Sequence, residues 1–246
     1  MRGNGIRQGS GVLGVIGASG GVGASVLAAA VAQRGAQAGV HSVLVDGCEL
    51  GGGLDITMGL EQEPGLRWGD LAGLSGAADG RALLARLPVA DGVPVLSHGR
   101  RSGPAISTDV VLSVVEALRH TAELVVVDLP TTATPGLGDL VDRLLVVGGT
   151  QLRQLAALCR FTSALQSSTH GPIAVCLRGD PLGPDIRRVV EGDLGMTTLA
   201  EVGHDRGLEA DLLHGVPPGT RRAGPVVAAA DEVLAWALGR SEVQVA

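Results

Sequence analysis

The chain of 246 residues carries 19 basic and 25 acidic side chains, a formal charge of −6, and 45% of it is hydrophobic. That is enough to bury the core of one large domain. With no basic block or aromatic platform, nucleic acid is a poor partner. Aromatic residues make up only 1%, with no tyrosine, so the core must be aliphatic; the 39 glycines follow no three-residue period, which excludes collagen. Cys48, Cys159 and Cys176 lie far apart with neither metal spacing nor a disulfide framework, the pattern of a reducing compartment. Arg2 and Arg7 precede a short apolar run that glycines interrupt, which is not a signal peptide. No stretch approaches the ~18 apolar residues of a membrane span. The expectation is a cytoplasmic protein.

Residues 1–10, rich in Gly, Arg and Ser, read as a loose lead-in. From Val12 to Ala32 the chain reads VLGVIGASGGVGASVLAAAVA: an apolar strand, a glycine-rich loop and a small-residue helix. Consecutive glycines bring backbone N–H groups close to a ligand, and the first helical turn adds unpaired donors and the positive end of its dipole. Such a corner favours phosphate. Three readings stand at this point: a P-loop, a Rossmann dinucleotide loop, or a tight turn that binds nothing. A P-loop would end in Gly-Lys-Ser/Thr, but here Ala24 stands between Gly23 and Ser25. The chain has no lysine at all, so every basic residue is arginine. An arginine is no simple equivalent of a compact ammonium.

A second apolar run, His41 to Val45, ends in Asp46, and a flexible loop follows at Gly51-Gly52-Gly53. An acid at that strand tip serves a ribose hydroxyl in a Rossmann protein or the magnesium region in a P-loop protein, or simply caps the next turn. Glu63 to Arg81 is irregular, with Trp68 as one large apolar anchor. Leu83 to Leu87 reads as a short helix and Val93 to Leu96 as a third strand. Thr108 to His120 has the spacing of an amphipathic helix, capped by Ser107 or Thr108. The run Leu124-Val-Val-Val-Asp128-Leu-Pro130 reads as a buried parallel strand that delivers Asp128 to its carboxyl end. That is the magnesium-holding place in a P-loop protein, or alternatively the start of a turn before Pro130. Strands at Leu144 to Val147, Pro172 to Leu177 and Thr197 to Val202 alternate with helices at Gln151 to Leu165, Asp185 to Glu191 and Glu209 to His214. Pro225 to Leu238 closes the chain as a helix. Strands alternating with helices give an α/β fold, a doubly wound, mostly parallel sheet with helices on both faces. One domain spans residues 11–240, and 241–246 form a short tail.

The loop SGGVGAS, the strand-end Asp46 and the VVVDLP strand together resemble the MinD/ParA class of deviant P-loop ATPases. The nearer likeness is to the CpaE/TadZ pilus-assembly branch, and nearest is its actinobacterial CpaE-like group, which includes septum-site-determining proteins. The stretch DGCELGGGLDITMGLEQEPGLRWGDL looks like that group's region after the second strand, and the likeness runs from Val12 to Leu238. The resemblance implies a nucleotide-binding sandwich dimer that marks a position for pilus or secretion assembly or for septum placement. It implies ATP or ADP with Mg2+, protein partners of such an assembly, and recruitment by them to a pole, septum or membrane face. By position it places Ser19, Gly20, Gly21, Val22, Gly23, Ala24, Ser25 and Val26 around the phosphates. Ser25 and Asp128 would hold magnesium, Asp46 and Asp128 would be the catalytic acids, and Arg178 would lie at the adenine pocket.

The sequence departs from that class in three places. The signature lysine position is Ser19, the ordinary P-loop lysine position is Ala24, and the second acid of the switch is Cys48, with Glu49 beside it. The branch's receiver-like N-terminal domain has no counterpart in these residues. Ser241 to Ala246 has no cationic face, so direct membrane insertion is not expected. The resulting expectation is a positional scaffold with weak or vestigial ATP binding and at most slow hydrolysis. It would be a monomer, or a homodimer through a surface other than the phosphate loops. The alternatives are an active ATP-dependent dimerisation switch, with an arginine replacing the lysine, and an NAD(P)-binding Rossmann oxidoreductase.

Overall fold

The computed structural model describes residues 10–99, 105–131, 140–165, 171–179 and 184–240. Residues 1–9 of the lead-in and the tail 241–246 lie outside the described residues. Among the described residues eight strands form one sheet: β1 (Gly11–Gly17), β2 (Ser42–Asp46), β3 (Val89–Ala90), β4 (Val93–Leu96), β5 (Leu124–Leu129), β6 (Arg143–Gly149), β7 (Ile173–Arg178) and β8 (Thr197–Val202). Their order is β3-β4-β2-β5-β1-β6-β7-β8. Among these described strands the β3–β4 pair is antiparallel and the other pairs are parallel. A sheet covered on both faces explains why the central strands read as unbroken aliphatic runs.

Along β1, alternate side chains enter two different cores, Leu13 and Val15 on one face and Val12 and Ile16 on the other. On the first face lie α1 (Ala24–Gln37), α2 (Leu54–Thr57) and the closing helix. The four buried alanines of α1 let it pack closely, and Arg34 crosses to Asp231 of the closing helix at 2.6 Å. The second face carries α3 (Gly80–Leu84), α4 (Thr108–Arg119) and α5 (Leu152–Leu165). The last three helices are α6 (Pro184–Arg188), α7 (Leu208–Leu213) and α8 (Pro225–Ala237), the closing helix. Each core holds one tryptophan, Trp236 in the first and Trp68 in the second.

The Ser107 hydroxyl accepts the Val110 N–H at 3.4 Å, so the sequence-read cap of α4 forms. Two elements depart from the sequence reading. The Gly-rich stretch after β2 turns into a short helix at Leu54. The helix read at Leu83 to Leu87 starts earlier, because the Asp79 carboxylate accepts the N–H groups of Arg81 and Ala82.

Candidate functional site

The four central parallel strands deliver Asp46, Asp128, Gly17 and Gly149 to one edge of the sheet. This is the edge where open α/β sheets bind ligands. The chain leaves β1 with the Ala18 N–H donating to Val147 O at 2.9 Å, which ties the loop to β6. Gly21 (φ 76°) and Gly23 (φ 86°) take the left-handed backbone that only glycine adopts without strain. The first α-helical bond of α1 runs from Leu27 N–H to Gly23 O. The N–H groups of Ala24, Ser25 and Val26 therefore have no helical acceptor. Gly23 supplies no side-chain cap, and the first turn has no acid. The positive end of α1 is left for another acceptor.

Asp46 and Asp128 are register partners across β2 and β5, both nearly fully buried. Both oxygens of Asp46 are committed: one accepts Cys48 N–H and the other Leu54 N–H, each at 2.9 Å. This carboxylate ties down the loop and the start of α2, the capping alternative at that strand tip. Burial nonetheless pushes Asp46 above the usual carboxylate range, against the pull of those two bonds. Trp68 seals this corner, its indole N–H donating to Asp46 O at 2.7 Å and its ring stacked on His98 at 6.1 Å.

Asp128 is in a different state. Burial pushes it up to about 7; a hydrogen bond from Ser25 opposes the shift and the Asp46 charge adds to it. Cys48 lies against it, with Sγ 3.9 Å from Asp128 O, and burial beside the two carboxyls pushes that thiol up to about 12. The ligating atoms of Asp46, Cys48 and Asp128 all lie within 4.8 Å of one another. A neutral thiol is a poor partner for a hard cation, and Asp46 is already spent on backbone amides. The Ser25 hydroxyl and the Asp128 carboxyl are the oxygen pair that fits magnesium, an ion that keeps most of its waters.

A cavity of about 840 Å³ opens over the loop, with Ser25, Cys48 and Asp128 on its floor and His204, Asp205 and Leu212 of the β8–α7 segment on its far wall. That wall carried no signal in the sequence, since its residues meet the loop only through the strand order. Arg178, at the end of β7, stands between this cavity and a second of about 380 Å³ bounded by Thr150 and Gln154. Its side chain does not simply line the far wall. It crosses to the loop, where any side chain on Gly23 would run into its guanidinium. The structure thus brings Ser19 to Val26, Asp128 and Arg178 to one cavity; Asp46 lies beside Asp128, with its two oxygens held by its own loop.

No protein-family model matches the chain. An uncharacterized protein of Mycobacterium tuberculosis, found in two strains, is 35% identical over 207 residues. The alignment covers 83% of this chain and 57% of the relative, so the chain spans a little over half the length of the curated relatives it matches. Among solved structures, a MinC:MinD cell division complex from Aquifex aeolicus superposes with a TM-score of 0.76 at 16% identity, covering 96% of this chain and 98% of that one. A ParA family ATPase from Chlorobium tepidum gives 0.75 at 17% identity, covering 94% and 98%. The septum site-determining protein MinD of Pyrococcus horikoshii, complexed with Mg-ADP, gives 0.70 at 15%, covering 94% and 99%. The chain has the MinD/ParA-type P-loop NTPase fold. The Rossmann alternative is not favoured: a dinucleotide fold places β1 beside β2, whereas here β5 separates them. No helix among the described residues is long and apolar enough to cross a membrane.

Proposed function

We propose that this chain is an adenine-nucleotide-binding member of the CpaE/TadZ-like branch, acting as a positional scaffold for pilus or secretion assembly or for septum placement. One observation carries the reading: an uncapped glycine loop and helix end face a large cavity beside the Ser25–Asp128 pair, while Ser19 and Ala24 occupy both lysine positions. The binding parts are present and the usual catalytic cation is missing. The Mg-ADP complex of the similar Pyrococcus horikoshii MinD supports adenine nucleotide with magnesium as the ligand. The complex of the similar Aquifex aeolicus MinD with MinC supports a protein partner as the output.

In this reading the backbone N–H groups of Gly21 to Val26 take phosphate oxygens, and the positive end of α1 offsets their charge. Ser25 and Asp128 are the residues that would hold a magnesium ion, which would offset the charge of the phosphates. Catalysis of phosphoryl transfer rests on preorganised charge around the transferring group. Without a lysine in the loop the chain binds more than it turns over. Calorimetry of the purified chain with ATP, ADP and NADPH, with and without magnesium, tests this. Binding of ATP or ADP is expected, with a magnesium dependence weakened in Ser25→Ala and Asp128→Ala. Tight NADPH binding without ATP binding would overturn the reading.

A further inference from the structure

We propose that Arg178 is a phosphate-binding cation of this site, supplied from β7 and serving binding rather than turnover. The inference rests on the adenine-nucleotide reading above and assigns the charge which that reading lacks. Three observations carry it. First, the guanidinium reaches Gly23, the residue at the N-terminus of α1, and lies where a Cβ on that residue would stand. Second, none of the ion pairs among the described residues uses Arg178. Third, it stands in the wall shared by the two cavities that meet at the loop, with Gly21 and Val22 lining both.

The electrostatics point the same way. An arginine is charged at every accessible pH. Placing a cation at the positive end of a helix is unfavourable by itself, because the free N–H groups carry the same sign. The juxtaposition becomes favourable when an anion sits between them and accepts from both. The guanidinium offers paired donors that match two oxygens of one phosphate, which an ammonium cannot do. The absence of lysine from the whole chain and the two left-handed glycines then belong to one arrangement. The guanidinium from the neighbouring strand reaches the loop at Gly23. The same approach holds Arg178 on the subunit's own loop, where it serves binding within one chain.

The experiment titrates the wild-type chain, Arg178→Gln and Arg178→Lys with ADP, pyrophosphate and adenosine by calorimetry, and melts each without ligand. Arg178→Gln should lose at least tenfold in affinity for ADP and for pyrophosphate while adenosine binding is unchanged. Arg178→Lys, which keeps the charge but not the paired donors, should fall between the two. The melting temperature without ligand should not drop in either variant, because Arg178 makes no ion pair among the described residues and its charge faces the positive end of α1; a structural role would lower it. Wild-type binding of ADP with unchanged affinity in both variants overturns the assignment and leaves the nucleotide reading standing. Arg178-dependent binding of pyrophosphate without binding of ADP supports the anion site and overturns the nucleotide reading. Binding of neither overturns both.

Discussion

Asp128 is charged only at a cost, because its carboxyl is buried beside Asp46 at the strand ends and is raised to about 7 from an ordinary 3.8. Between those values the folded chain keeps a proton that the unfolded chain has released. Metal-free stability should therefore fall as pH rises through this window, on the order of 1 kcal/mol per pH unit, and level off above it. Urea unfolding across the window, in wild type and in Asp128→Asn, isolates the effect: the slope should be shallower in the variant. A wild-type excess stability that grows with pH would contradict the burial argument. Trp68 is the other residue on which this corner depends. Trp68→Phe keeps most of the packing but leaves Asp46 O without its indole donor. Leaving a buried carbonyl unpaired costs about 1–3 kcal/mol, readable as a lowered denaturant midpoint at unchanged m-value. The sequence marked Trp68 as an anchor and both acids as strand ends. It did not separate their duties, because which oxygen accepts which amide depends on the loop path between Gly47 and Leu54.

At the scale of elements the alternation of aliphatic runs and helices was readable because each central strand is covered on both faces. What escaped was short and local. The strand β3 has two residues and pairs with β4 through a turn at Asp91 (φ 44°) and Gly92 (φ 88°). An Asp-Gly pair between apolar runs is the hairpin signal for such a turn. Gly92→Ala should cost about 1–2 kcal/mol, the usual charge for a left-handed L-residue, and thermal or urea unfolding would show it. A change within error would mean the turn relaxes to another type. The loop after β2 read as flexible because of its glycines, yet Asp46 folds its end into α2 by holding Leu54 N–H. Arg178 could not be placed by any local rule, since its partner Gly23 is brought to it only by the neighbouring strands β1, β6 and β7.

Two expectations belong to the whole molecule. Hydrolysis of ATP should be very slow or undetectable; turnover of about 1 s⁻¹ or more, abolished in Asp128→Ala, would restore the active switch. Sedimentation should show the same oligomeric state with and without ATP and magnesium, because Ser19 carries no charge to reach a second copy. An ATP-driven shift from monomer to dimer, lost on replacing Gly21 with a bulky residue, would refute the scaffold. The sheet also separates the chain's two indoles. Trp68 stacks on His98 at the Asp46 corner, whereas Trp236 lies in the opposite core with the Arg143 guanidinium 5.8 Å from its ring. With no tyrosine in the chain, near-ultraviolet emission comes almost wholly from these two rings. A Trp236→Phe protein would thus glow from one place only, and its light would follow the Asp46 loop without any attached label.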